Sequence, residues 1–237
     1  MTRRRACWCV ILTVALGGAA ACGPTPEVTP LPAGAREAVV LVHGMGRTPL
    51  SMAALEHDFE RAGYRVLNWG YSSYCCTVSE LAGRLEADLG AWGGAVDRVH
   101  FVGHSLGNII VRQLLARDAA LPVGRVVMIA PPNQGSRSAD RYARWLGGVL
   151  KPLPELGTDS ASTARRIPPP ADVEIGIIAA AGDGKVSVAQ TRLAGARSHV
   201  VVPGAHTFVM LKRDVRALAL EFVRNGRFAS EPVPAAR

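Results

Sequence analysis

The chain has 237 residues, of which 49% are hydrophobic, so it can bury one sizeable core, and a single domain is the expected organisation. Its 27 basic and 19 acidic side chains give a formal net charge of +8, but the basic residues are scattered and are not interleaved with aromatic residues. This pattern is typical of a solvated surface and argues against a nucleic-acid partner.

The first residues have the pattern of an export signal. Three arginines precede a short apolar run over residues 10–16, and small residues then lead up to Cys22. The apolar run is too short to cross a membrane, whereas a basic start, a short apolar run and a small-residue cleavage site describe a secretory leader. We therefore expect residues 1–21 to be removed and the protein to be exported.

The segments that flank the main body of the chain are polar or rich in proline. Residues 22–37 contain four prolines and predict an extended tether. We expect a single domain over residues 38–228 and a disordered tail over residues 229–237.

Removal of the leader leaves three of the five cysteines, of which Cys75 and Cys76 are adjacent. Such a pair can form a disulfide between neighbouring residues or stay reduced, and the sequence leaves both states open. Histidines and cysteines do not occur at the spacing of a zinc site, so we expect no metal.

Short apolar runs alternate with amphipathic stretches through the main body of the chain. The runs that predict strands are residues 38–43, 65–71, 99–102, 125–130, 174–180 and 198–202. Five stretches predict helices. Two of them begin at Thr48 and at the Thr77–Glu80 capping box, and the other three cover residues 108–117, 138–150 and 211–222. Residues 151–171 contain five prolines and are predicted to be an irregular excursion over the surface. Strands that alternate with helices predict a parallel sheet with helices on both faces.

The motif Gly103-His104-Ser105-Leu106-Gly107 lies between a predicted strand and a predicted helix. In that context the pattern G-x-S-x-G predicts a nucleophile elbow, a tight turn that presents the serine Oγ above the carboxyl end of the strand. Side chains at Gly103 and Gly107 would collide with neighbouring backbone. The N–H of Leu106, at the start of the helix, is a candidate donor to a developing oxyanion.

Further polar residues follow other predicted strands, and in a parallel sheet they share one edge with the elbow. A serine nucleophile needs a base, and an acid must hold that base in one tautomer. Asp183 and His206 follow Ser105 in the chain order that this catalytic arrangement requires. Asp159 and Asp172 are rival candidates for the acid.

The other histidines are given structural roles. His43 follows the first strand, and we expect it to brace its loop rather than act as a second base. The remaining four have no partner pattern and are expected at the surface or in packing: His57, His100, His104 and His199.

Taken together, these segments resemble an α/β-hydrolase of the compact bacterial lipase/esterase type, over about residues 38–226. The resemblance rests on residues 43–46, 103–107, 131–136, 183–188 and 206–208. It implies a single-domain α/β fold with about six mainly parallel strands, helices on both faces and no large cap domain. It also implies that His43 and Gly44 introduce the oxyanion loop and that Met45 provides the second oxyanion N–H.

The cysteine after Ala19-Ala20-Ala21 resembles that of a bacterial lipobox. The resemblance implies lipid attachment to Cys22 and a membrane-anchored lipoprotein of the cell envelope. Ala19 stands where leucine is usual, so a periplasmic or secreted protein remains open.

The activity that the resemblance implies is hydrolysis of a small-molecule or lipid ester through an acyl-enzyme on Ser105. We expect the protein to be a monomer that needs no cofactor. The same residues would suit an acyltransferase, a thioesterase or an amidase, and a non-catalytic binding lipoprotein is a further alternative. The apolar face of the predicted helix over residues 138–150 either lines an acyl channel or covers the sheet. That face comprises Tyr142, Trp145, Leu146 and Val149.

Overall fold

The computed structural model describes residues 36–92, 96–117 and 121–228. The predicted leader, Cys22, nearly all of the tether and the tail at 229–237 lie outside the described residues, and what was expected of them stays a prediction. Within the described ranges, no helix combines the length and the apolar character needed to cross a membrane.

Within the described ranges, six strands form one sheet, and all neighbouring strands in it run parallel. They are β1 (Glu37–Val42), β2 (Arg65–Trp69), β3 (Arg98–His104), β4 (Val123–Ile129), β5 (Glu174–Ala180) and β6 (Ser198–Val202). The spatial order is β2-β1-β3-β4-β5-β6. The predicted parallel sheet of about six strands is confirmed.

Seven α-helices accompany the sheet in the described part of the chain. They are α1 (Ala53–Arg61), α2 (Val78–Trp92), α3 (Leu106–Leu115), α4 (Arg137–Leu146), α5 (Thr163–Arg166), α6 (Val188–Thr191) and α7 (Arg213–Asn225). Buried side chains of α2 and α3 pack on one face of the sheet, and those of α1 and α7 pack on the other. Helices on both faces are confirmed, and the residues that the structure describes contain no large cap.

The burial of β1 shows why the strands have continuous apolar runs rather than an alternating pattern. Val40 and Val42 pack towards α2 and α3, whereas Val39 and Leu41 pack towards α1 and α7. All four side chains are fully buried. A strand covered on both faces needs an apolar residue at every position, and each such side chain contributes about 1.5–3 kcal/mol.

The strand order reverses between β1 and β3, and this reversal places the site. The chain goes from β1 outward to β2 and then returns to β3 on the other side of β1. Val42, at the end of β1, lies beside Gly103 in β3. The loops that leave these two strands therefore diverge from adjacent points and open a crevice at the carboxyl edge of the sheet.

Two predicted helix starts had different outcomes. The Thr77–Glu80 capping box is present, since the Thr77 N–H donates to Glu80 Oε2 at 2.8 Å and the Glu80 N–H to Thr77 Oγ1 at 3.2 Å. The helix predicted from Thr48 instead begins with a 3₁₀ turn, Pro49–Met52, and the Thr48 side chain does not cap it. The Ala53 N–H donates to the Leu50 carbonyl, a bond between residues i and i+3 that is typical of a 3₁₀ turn. The Asn68 amide donates to the Pro49 carbonyl at 3.0 Å.

The prediction that residues 151–171 run irregularly over the surface was wrong in part. They contain a 3₁₀ turn, Pro154–Leu156, and the short helix α5. Leu153, Leu156 and Ala164 are buried in the same core as α2 and α3. Proline is tolerated in the first turn of a helix, so a proline-rich stretch can still fold against the core.

Candidate active site

Ser105 lies in a strained turn between β3 and α3. Its backbone has φ 52° and ψ −120°, a conformation that side-chain-bearing residues adopt rarely and at a cost of about 1–3 kcal/mol. A Cβ atom at Gly107 would overlap the carbonyl oxygen of Val42, and one at Gly103 would overlap the side chain of Asn108. Both glycine positions therefore exclude a side chain.

Neighbouring hydrogen bonds hold this turn in place. The Ser105 N–H donates to the Ile129 carbonyl at 3.0 Å. The buried Asn108 amide donates to the carbonyls of both Ser105 and Ile129, at 3.2 and 3.1 Å. The elbow is thus anchored to the end of β4. The role of Asn108 was missed in the sequence, where it reads as an ordinary helix residue.

Loops from three different strands bring Ser105, His206 and Asp183 into one hydrogen-bonded line. The Ser105 hydroxyl lies 2.9 Å from His206 Nε2, where it donates to the ring. On the opposite side of the ring, His206 Nδ1 donates to Asp183 Oδ2 at 2.6 Å. Asp183 follows β5 and His206 follows β6, so the shared sheet edge brings them together.

The Asp183 carboxylate is completely buried and held from a second direction. Its Oδ1 accepts the backbone N–H groups of Lys185 and Val186 at 2.7 and 2.8 Å. These bonds leave Oδ2 for the histidine. The rival acids lie elsewhere: Asp159 and Asp172 are exposed, and Asp159 accepts the N–H of Ala161.

The backbone of Met45 and that of Leu106 lie next to Ser105. Leu106 opens α3, where the first N–H groups of a helix have no acceptor within the helix. Met45 follows β1 in a turn that the Arg47 N–H closes onto the Gly44 carbonyl at 3.2 Å. A Cβ at Gly44 would lie 2.8 Å from His104 Nδ1, so this position is also crowded.

His43 is buried beneath the loop that carries Met45, outside the line of Ser105, His206 and Asp183. Its ring stacks on Tyr71 with centroids 4.2 Å apart, and the Tyr71 hydroxyl donates to the His43 carbonyl at 2.7 Å. His43 Nδ1 donates to the Gly44 carbonyl at 2.9 Å, and burial lowers the pKa of this histidine. These contacts fix the path of the loop.

Ser73 is a second support of this loop and was missed in the sequence. It is buried after β2, and its Oγ accepts the Gly46 N–H at 2.9 Å. The next residues include Cys75 and Cys76, which the structure joins in a disulfide. No local pattern marks Ser73, because its partner is 27 residues away.

His104 is buried in packing, which is one of the two expected roles, and it also has a specific partner that no pattern in the sequence indicated. Its ring is buried beside that of His206, with centroids 5.1 Å apart, and its Nε2 donates to the His206 carbonyl at 2.9 Å. Burial lowers the pKa of His104 to about 3. It therefore stays neutral and holds the backbone of the His206 loop. Its place just before the elbow serine is the one signal that could have indicated this role.

This low pKa predicts an acid-sensitive fold. As the pH drops below 6.5, an unfolded chain protonates His104 whereas the folded protein does not until about pH 3, so acid favours unfolding. This histidine alone should lower the free energy of unfolding by about 2 kcal/mol between pH 6.5 and pH 5. Urea unfolding of His104→Gln should show a shallower loss of stability over this range. The exposed His57→Gln serves as the control, and equal slopes for the two variants would contradict the assignment.

A cleft of about 300 Å³ opens at Ser105 and His206. Its far wall is apolar and comes from α4 and the segment after it: Ala139, Tyr142, Leu146, Leu150, Leu153 and Leu156. Trp145 and Val149, which the sequence grouped with this wall, do not line it and are 86% and 72% exposed. The predicted face of the helix therefore divides into two parts. Trp145 therefore neither lines the cleft nor covers the sheet.

The buried Arg112 of α3 ties the cleft wall to the elbow helix. Its guanidinium donates to the carbonyls of Ala164 and Ile167 at the end of α5, and to Asn133 Oδ1 at 3.2 Å. Burial lowers its pKa to about 10, and no carboxylate within the described ranges pairs with it. Backbone carbonyls at a helix end are suitable partners for such a cation.

In the part of the chain that the structure describes, no three histidine, cysteine or acidic side chains group in a way that could hold a metal ion. The polar groups at the cleft are a hydroxyl, an imidazole that can take its proton, a carboxylate behind that imidazole, and backbone donors. Such a set can transfer an acyl group without a cofactor.

Comparison of the sequence with family models gives a match to the alpha/beta hydrolase family over residues 39–183. Among curated proteins, no significant match was found. The matched range begins within β1, extends past the end of β5 and includes both Ser105 and Asp183.

Solved structures of similar fold include lipolytic enzymes. The mature lipase BlEst2 of Bacillus licheniformis is 18% identical, with a TM-score of 0.60 over 84% of this chain and 95% of its own. A structure from the metagenome-derived lipolytic enzymes LipS and LipT is 20% identical, with a TM-score of 0.60 over 84% and 98%. A predicted CIB-like hydrolase of Thermoplasma acidophilum is 18% identical, with a TM-score of 0.55 over 82% and 89%. At these identities the likeness shows the fold alone.

Proposed function

The chain belongs to the alpha/beta hydrolase family, and from this premise we propose that it is a serine hydrolase that cleaves carboxylic esters through an acyl-enzyme on Ser105. The observation that carries the proposal is the unbroken line from Asp183 through His206 to Ser105, with distances of 2.6 and 2.9 Å. A surface serine has no need of a base held by a completely buried carboxylate.

In the proposed reaction, Ser105 Oγ attacks the ester carbonyl carbon while its proton passes to His206 Nε2. The carbonyl oxygen becomes an oxyanion, which the N–H groups of Leu106 and Met45 bind, each contributing about 3 kcal/mol. His206 then gives the proton to the leaving alcohol. Water attacks the acyl-enzyme with His206 as base, and release of the carboxylic acid restores the Ser105 hydroxyl.

Asp183 takes no proton in this scheme. Its carboxylate accepts Nδ1–H of His206, so that Nε2 presents a lone pair to the serine, and its charge stabilises the imidazolium that forms.

The apolar lining of the cleft is suited to bind an apolar acyl group of the substrate. Leu146, Leu150, Leu153 and Leu156 surround the space next to Ser105, and the volume of about 300 Å³ is at the lower end of small-molecule sites. The lipase and the lipolytic enzymes among the structural neighbours are consistent with this choice.

Labelling with a fluorophosphonate probe, followed by kinetics on matched acyl esters, thioesters and amides, tests the proposal. We expect covalent labelling at Ser105 and the highest kcat/KM for the esters. A labelled protein that prefers thioesters or amides would move the assignment to those activities. A folded protein that is neither labelled nor active would indicate a binding protein instead.

The bond from Gly46 to Ser73 predicts a second effect on the same reaction. Ser73→Ala removes the acceptor that fixes the turn after Met45. The Met45 N–H should then no longer point directly at the oxyanion. One hydrogen bond of about 1 kcal/mol predicts a fall in kcat of about fivefold, with KM nearly unchanged. The exposed neighbour Ser72→Ala is the matched control. A rise in KM with an unchanged kcat would show that Ser73 supports substrate binding and not the oxyanion loop.

A further inference from the structure

The exposed side of α4 extends outward beyond the residues that line the cleft. We propose that this surface docks on an anionic lipid layer, with an apolar stripe of α4 entering the lipid and the arginines of α4 binding its headgroups. Docking does not depend on catalysis. Its consequence, that the esters cleaved are lipids held in that layer, rests on the proposed function.

The apolar stripe consists of Tyr142, Trp145, Leu146 and Val149, on α4 and directly after it. Their exposed fractions are 51%, 86%, 43% and 72%. Tyr142 and Leu146 also line the cleft, so the stripe begins at the mouth of the candidate active site and continues outward from it. A group of large apolar side chains left in water beside a binding cleft marks an interaction surface.

The charges of α4 lie beside this stripe. Arg137, Arg141 and Arg144 follow each other at i, i+4 and i+7 on one helix face, and all three are exposed. None of them pairs with an acid in the described ranges. The acid of this helix, Asp140, is instead engaged by the backbone and hydroxyl of Thr158.

A surface next to the cleft, which shares Arg47 with it, has the same combination of groups. Phe208 is 60% exposed, and the guanidinium of Arg47 lies 5.4 Å from the centre of its ring. Leu50 and Leu211 lie beside them and are also exposed. Exposed apolar and cationic side chains therefore occur together both on α4 and beside Arg47, and this combination is the complement of an anionic lipid surface.

The charge pattern decides between a lipid layer and a second copy of this chain. Two copies that met through the α4 stripe would bring their arginine rows close together, and like charges would oppose the contact. A helix with a bulky apolar stripe bordered by arginines is instead typical of a helix that lies in the headgroup plane, where each basic residue contributes to binding of anionic lipid.

Tryptophan quenching by brominated lipids tests the docking directly. The protein is the full chain with Ser105→Ala, so that no lipid is consumed, and the vesicles are brominated phosphatidylcholine with or without phosphatidylglycerol. We expect the anionic vesicles to quench a fluorescence component that the matched Trp145→Phe variant lacks. Because Trp145 itself is the reporter, attachment through the amino-terminal segment cannot produce this signal.

A second variant tests the charges. Replacing Arg137, Arg141 and Arg144 with glutamine should weaken binding to phosphatidylglycerol vesicles on the order of 100-fold, with circular dichroism unchanged. Absence of any quenching assigned to Trp145 would overturn the proposal, as would equal affinity of the arginine variant. Concentration-dependent dimers that Trp145→Glu abolishes, without vesicle binding, would identify a second copy as the occupant. Failure of ester hydrolysis alone would leave the quenching result intact and concern only the proposed function.

Discussion

Replacing Ser105 with alanine should lower the turnover of a short p-nitrophenyl ester on the order of 10⁶-fold. The hydroxyl that attacks the carbonyl is lost, and only the oxyanion donors and substrate binding remain. The melting temperature should change little, because the turn is held by glycine positions, by the Ser105 backbone and by Asn108, none of which the substitution touches. Steady-state kinetics and a thermal melt on the same preparation measure both effects.

Ser138 provides the control for this experiment. It lines the same cleft, but its hydroxyl donates to the Gly184 carbonyl at 3.2 Å and not to His206. Ser138→Ala should therefore keep turnover within a few-fold of the unmodified protein. Substantial turnover by a folded Ser105→Ala variant would show that another group is the nucleophile.

Asp183→Asn should lower the rate on the order of 10⁴-fold without unfolding the protein. The asparagine Oδ1 can still accept the N–H groups of Lys185 and Val186, so the loop keeps its shape. Its amide nitrogen then faces His206 and donates to Nδ1. The proton of the imidazole moves to Nε2, and the ring can no longer accept the proton of Ser105.

The same substitution at the two other candidate acids provides the comparison. Asp159→Asn and Asp172→Asn change exposed residues and should leave kcat/KM nearly unaltered. A larger loss at either position than at Asp183 would place the acid elsewhere. Activity should be followed over a range of pH, because a shifted pH profile distinguishes an altered imidazole from a damaged fold.

Features that depend on local periodicity were predictable from the sequence. Apolar runs buried on two faces identified the parallel strands, and the alternation with helices identified the layers. The grouping of Ser105, Asp183 and His206 followed from one rule, that residues after parallel strands share an edge. Their positions after β3, β5 and β6 were enough to predict that the three residues lie close together.

Supports formed between distant segments were not predictable in this way. Ser73 and His104 bind partners that lie 27 and 102 residues away in the chain. The partners of Arg112 lie 21 to 55 residues away. A single sequence has no pattern that marks such distant pairs. The direction of Trp145 was missed for a related reason. Helical spacing groups residues on one side of α4, but it does not say where a neighbouring segment stops covering that side.

The hydrogen bonds from Arg112 to the end of α5 have a consequence for redesign of this fold. The cleft wall between α4 and β5 is fastened at the carbonyls of Ala164 and Ile167, which any side chain at those positions retains. Exchanges of Leu153 and Leu156 among apolar residues therefore leave these hydrogen bonds in place. Under the proposed function, we expect acyl-length preference to follow this one segment when it is exchanged, whereas a substitution of Arg112 would remove its hydrogen bonds to both carbonyls together.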